Sequence, residues 1–164
     1  MKNLLLLLTI TCMVSCGESS RVKGQKSSYA DLNYWNQGVA EITSYTLLQN
    51  RYDNTRPGTL ILIHVAEDFL PDRQVKNESY TSERSVQILK RIEQRKFLTG
   101  IYDYTMYASS FTPMDDYNSR TLKVTGSSQE WCGTSFIQHN LKDQHYKSQL
   151  HSYFEKEGDV EVTI

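Results

Sequence analysis

The chain has 164 residues, 18 Lys and Arg against 19 Asp and Glu, and a formal net charge of -1. Opposite charges are interspersed and no segment carries a basic stripe, so the electrostatic footprint of a nucleic-acid binder is absent. A domain near this size buries roughly 70% of its unfolded surface, enough for a real core, and 11 Tyr against 5 Phe suit strands with one wet and one dry face.

Residues 1–15 read as a signal peptide. Met1-Lys2-Asn3 precedes an apolar run, Leu4 to Ile10, far shorter than the about 20 residues a membrane span needs. Met13-Val14-Ser15-Cys16 then has the form of a bacterial lipobox. Cleavage before Cys16 exposes a residue whose thiol and amine become acylated; an ordinary secretory leader is the alternative. Cys12 fits less well as the lipid site, because Thr9 stands where an aliphatic residue is wanted. Each buried lipid methylene contributes about 0.8 kcal/mol, so several acyl chains anchor firmly. Gly17 follows the lipid cysteine, where an Asp would argue for inner-membrane retention; the expected place is the outer membrane. Residues 16–30 are polar, with Gly, Ser and Lys, and read as a flexible tether.

Residues 31–164 read as a single β domain. Val39 to Tyr52 alternates β-branched and aromatic residues and predicts a strand. Asp53 to Gly58 supplies turn chemistry around Pro57-Gly58. Thr59 to Val65 is near-continuously aliphatic and predicts a strand covered on both faces, paired with the first as a hairpin. Ala66 to Lys76 begins extended and turns at Leu70-Pro71-Asp72; Asn77 to Arg84 is polar loop, and Ser85 to Arg95 a further strand. Phe97 to Phe111 reads as one strand bent at Gly100, with Phe97, Tyr107 and Phe111 on one parity and Tyr102 and Tyr104 on the other. A turn-rich loop, Thr112 to Ser119, precedes a long strand over Thr121 to Asn140, kinked near Gly126. Lys142-Asp143-Gln144 reads as a hairpin tip, His145 to Lys156 as the return strand and Val160 to Ile164 as another. A chain that stops in mid-strand points to the first part of a longer protein. The fold class expected is mostly β: a long-stranded antiparallel curved sheet or half-barrel, with a closed barrel or two-sheet sandwich as alternatives.

Cys132 lies in Trp131-Cys132-Gly133, which resembles half of a thioredoxin site. The second cysteine and the helix N-terminus that lower the thiol pKa are missing there. With Cys12 removed and Cys16 acylated, Cys132 is the one thiol left, so a disulfide framework is excluded. Its expected place is the middle of a long strand, as a small buried residue; a hydrolase would need a histidine beside it. His139 and His145 flank the Lys142-Asp143 tip and in one register face each other as metal ligands, against the plainer reading of solvated surface histidines. Glu67-Asp68 and Asp115-Asp116 are adjacent pairs that point to opposite faces of a strand or occupy a turn. Tyr102, Tyr104, Trp131 and Tyr153 are candidate ligand-facing aromatics, with sheet core as their plainer role.

The runs "AEITSYTLLQNRY", "EDFLPDRQVK", "KFLTGIYDYTMYASSF" and "QEWCG" with "HSYFEKEGD" resemble a family of Bacteroidota lipoproteins, over most of the chain after Trp35. Some members of that family bear the label septum formation inhibitor Maf. That label implies a cytoplasmic nucleotide pyrophosphatase on an α/β fold, at odds with the lipobox and β pattern here. The resemblance implies location and fold and carries no catalytic residues or cofactor. The expected function is a lipid-anchored envelope protein acting as a non-catalytic binding or assembly module. Its expected partners are the membrane, through the lipid, and an envelope protein or lipid ligand. A carrier of an amphipathic ligand, and a hydrolase using Cys132 or a histidine metal site, are the alternatives.

Overall fold

Strands account for most of the structure, a computed structural model that describes residues 32–79, 84–115 and 119–164. Among these residues a one-turn helix, α1 (Leu32–Trp35), precedes β1 (Glu41–Arg51), β2 (Asn54–Leu70), β3 (Val75–Lys76) and β4 (Val86–Thr99). Then come β5 (Tyr102–Pro113), β6 (Lys123–Glu130), β7 (Gly133–Lys142), β8 (His145–Ser152) and β9 (Val160–Thr163). They form one antiparallel sheet in the order β1-β2-β4-β5-β6-β7-β8-β9, with β3 added to β2. The edges β1 and β9 do not pair with each other, so the curved open sheet holds and the closed barrel and the two-sheet sandwich do not. Among the described residues no helix is long and apolar enough to cross a membrane. The lipobox and tether lie outside the described residues.

Three chain reversals depart from the sequence reading. β1 turns at Tyr52-Asp53, both at positive φ (53° and 57°), and β2 runs straight through Pro57-Gly58. Two central residues at positive φ give the primed turn whose twist matches that of the strands. Pro57 is tolerated inside β2 because the ladder to β4 begins only at Gly58, leaving no amide partner to satisfy on that side. The single strand expected over Phe97 to Phe111 is two strands, β4 and β5, folded back at Gly100-Ile101, with Gly100 at φ 72°. The long strand expected over Thr121 to Asn140 is likewise two, β6 and β7, joined at Trp131-Cys132. Asp143-Gln144 turns between β7 and β8 as expected, again at positive φ.

Two small cores stabilise the sheet, at opposite ends and on opposite faces. On one face Phe69 and Ile88 are fully buried, and the Phe69 ring lies 5.5 Å from that of Phe111. The turn after β2 folds over this corner: Lys123 Nζ donates to the Gln74 carbonyl at 3.0 Å, across the Phe111 ring. Burial there lowers the Lys123 pKa. On the other face, at the far end, Tyr104 is fully buried and Phe97 is buried beside it. Gly58 makes this second core possible. A Cβ at Gly58 would stand 2.2 Å from the Lys96 carbonyl oxygen, so only glycine lets β2 approach β4 so closely.

Candidate functional site

Register assembles the site. Leu47 pairs with Gly58, Gly58 with Phe97, and Phe97 with Tyr104, so all four point to one face. Glu130 follows Gln129, the partner of Thr105, and therefore stands beside Tyr104 in the same row. Counted along an unbroken strand, Phe97 falls on the parity opposite to Tyr102 and Tyr104. The hairpin at Gly100-Ile101 reverses that parity and brings all three rings to one face.

Four rings then stack in series. Phe97 lies 5.2 Å from Tyr104 at 8° between planes, Tyr104 5.9 Å from Tyr102 at 32°, and Tyr102 5.7 Å from Trp131 at 25°. The Tyr104–Tyr102 pair is tilted and the other two are stacked, and aromatic pairs at these separations add roughly 0.5–1.5 kcal/mol each beyond the area they bury. The series starts in the core and ends in solvent: Tyr104 is 1% exposed and Trp131 74% exposed.

A polar cluster grips the inner end of the stack. Arg51 Nη2 donates to the Tyr104 hydroxyl at 3.0 Å, and the Tyr52 and Tyr104 hydroxyls are 2.8 Å apart. The Arg51 guanidinium also covers the Tyr52 and Tyr104 rings, at 4.6 and 5.1 Å. Burial pushes the Tyr104 phenol well above its usual range, and the Glu130 carboxylate and Tyr52 push it further against the pull of Arg51. The Tyr104 hydrogen bond in turn raises the Arg51 pKa and keeps it charged. Glu130 Oε2 and Arg56 Nε are buried without a hydrogen-bond partner. Tyr52 holds a left-handed backbone, rare for a bulky residue, and that conformation aims its hydroxyl at Tyr104.

Of the sequence-predicted aromatics, Tyr102, Tyr104 and Trp131 come together here. Tyr153 does not join the stack. It follows β8, 77% exposed, and packs edge-on to Phe154 over Gly133, where a Cβ would meet its ring at 2.6 Å. Arg51, Tyr52, Phe97 and Glu130 do not stand out in the sequence; a turn at Tyr52-Asp53 is the signal that could have found the first two. Cys132 is neither buried nor in mid-strand. It is exposed at the β6–β7 turn, and its thiol lies against the Tyr102 phenol.

The histidines do not converge. The Asp143-Gln144 turn reverses parity between β7 and β8, putting His139 and His145 on opposite faces. His139 Nδ1 is 2.6 Å from the buried Ser148 hydroxyl, and His145 pairs across the ladder with Lys142. His151 lies 3.4 Å from Asp159, and His64 3.9 Å from Glu41. Among the described residues no three His, Cys, Asp or Glu side chains gather as metal ligands. Cys16 lies outside the described residues.

Beside the ring stack, on the same face, is an open groove of about 550 Å³. Small residues in mid-strand, Ala108, Gly126, Ser128 and Ser135, hollow it out, with Ile137 and Arg95 on its walls. Comparison with known protein families, with curated proteins and with solved structures returns no match.

Proposed function

We propose that the chain is a lipid-anchored binding or assembly module of the cell envelope, attached to the outer membrane through Cys16. We further propose that it belongs with the Bacteroidota lipoproteins its sequence resembles. Its binding end is the hairpin end that carries Trp131, Tyr52 and Arg51. The observation that carries this reading is the ring stack: a cluster built into the core at Tyr104 continues outward to a bare indole. Trp, Tyr and Arg are the residue types that dominate binding energy at interfaces. A binding role without catalysis is supported by the neighbours of Cys132, which are Tyr102 and Trp131, while His139 is held by Ser148 and His151 by Asp159.

A second reading, carriage of an amphipathic ligand, is favoured by the open groove of about 550 Å³, which falls within the usual size of ligand sites. One experiment separates these readings: mass spectrometry of the full-length protein purified gently from membranes. The anchored-module reading expects the acyl mass on Cys16 and co-purification of an envelope partner. A retained lipid-sized molecule favours the carrier, and an unmodified Cys16 sinks the anchor.

A further inference from the structure

We infer that β1 is a dimerisation edge: it pairs antiparallel with β1 of a second copy of this chain, about a two-fold axis through Tyr45. This self-pairing rests neither on the Cys16 anchor nor on the hairpin end as the binding end.

The edge is open and unguarded. β1 pairs with β2 on one side and, among the described residues, with no strand on the other. The two-residue turn at Tyr52-Asp53 makes Arg51 and Asn54 a hydrogen-bonded pair, so the odd positions of β1 bond to β2. Ile42, Ser44, Thr46 and Leu48 therefore turn their N–H and C=O groups outward. Natural edges are blunted by short length, charge, proline or a bulge. The other edge, β9, is 4 residues long and carries Glu161. β1 is 11 residues long, and its ladder with β2 has no bulge. No charge, proline or glycine stands between Glu41 and Arg51.

Symmetry along the strand names the occupant. The large apolar side chains that β1 exposes are Ile42, Tyr45 and Leu48, at 66%, 48% and 69%, evenly spaced with Tyr45 at the centre. An antiparallel copy centred there sets Ile42 opposite Leu48 of the second copy and Tyr45 opposite its own counterpart. The same register brings the outward backbone groups together, Ile42 with Leu48 and Ser44 with Thr46. Charge agrees with it. Glu41 stands diagonal to Arg51 of the second copy on the same face, at both ends of an uncharged seam. Arg51 commits Nη2 to Tyr104 and Tyr52, and Glu41 accepts from Tyr34, so both keep further hydrogen-bonding capacity. An in-register parallel copy would instead set like charges side by side.

Sedimentation velocity of the full chain in detergent tests both the dimer and its register. The wild-type chain dimerises with a dissociation constant of about 10 μM or tighter. Ile42→Lys or Leu48→Glu alone weakens dimerisation about tenfold or more. Both substitutions in one chain restore it to within about threefold of wild type, because each lysine then faces a glutamate of the other copy. Within one chain the two positions lie about 20 Å apart along the strand, so the rescue arises only between copies. All three variants change exposed side chains and fold, which an unchanged Tm confirms. A chain that stays monomeric at about 100 μM, a dimer indifferent to Leu48→Glu, or a double variant as weak as the single ones overturns the paired edge. None of these results touches the hairpin end or the anchor.

Discussion

Gly58→Ala tests how the site is supported. The added Cβ would lie 2.2 Å from the Lys96 carbonyl oxygen and 2.7 Å from Phe97 Cβ, far inside the roughly 3.5 Å of an ordinary carbon contact. Both obstacles are backbone or the root of a side chain, so no rotamer change relieves them. β4 must move by about 1 Å, and Phe97 carries the Tyr104 stack and, through it, the Arg51 contact. Overpacking of this kind costs about 1–3 kcal/mol, and a backbone clash belongs at the upper end. About 3 kcal/mol lowers Tm by roughly 10 °C for a chain of this length. Gly100→Ala is the comparison. Gly100 has φ 72°, and a Cβ there would meet nothing within 4 Å, so alanine incurs only left-handed strain, about 1 kcal/mol. Urea unfolding followed by circular dichroism measures both, and Trp131 emission, read in a Trp35→Phe background, reports on the stack. If Gly58→Ala costs no more than Gly100→Ala, or leaves Trp131 emission untouched, the close approach of β2 to β4 does not support the site.

Tyr104→Phe keeps the ring and removes the hydroxyl that holds Arg51 and Tyr52, at a cost of about 1–2 kcal/mol by urea unfolding; a cost under about 0.3 kcal/mol would show the cluster to be idle. The same hydroxyl governs alkaline stability. Its folded pKa is raised above the ordinary value of 10.0, so above that pH the unfolded chain releases its proton first. The contribution of this hydroxyl to stability is therefore flat below about pH 10 and falls as pH rises further, and Tyr104→Phe removes that part of the fall. Phe69→Ala empties the other core and costs about 3–5 kcal/mol; a loss below about 1 kcal/mol would mean that corner is not close-packed. Cys132 reacts with maleimide in the native protein at close to the rate of a free thiol peptide, whereas strong protection without ligand would contradict its exposed turn position.

Much of the fold is legible in local chemistry. The alternation from Val39, the aliphatic run Thr59 to Val65 and the tip at Asp143-Gln144 all mark strands and a turn that the structure contains. Two turns are hidden. Trp131-Cys132 has neither glycine nor proline at its centre, and Gly100 inside aromatic strand residues reads equally as a bulge. Three of the four candidate aromatics belong to the site, because strand aromatics are scarce enough to notice. Arg51 and Glu130 look like ordinary strand-end charges until the ladder sets them against Tyr104.

Composition and periodicity alone determine that this chain builds an antiparallel sheet, since period-two patterning with β-branched and aromatic residues allows little else. Which residues share a face was decided only in three dimensions. Each two-residue hairpin swaps odd for even positions on the next strand, so one unseen turn inverts every later assignment. The turn at Gly100-Ile101 unites Phe97 with Tyr104, and the turn at Asp143-Gln144 parts His139 from His145.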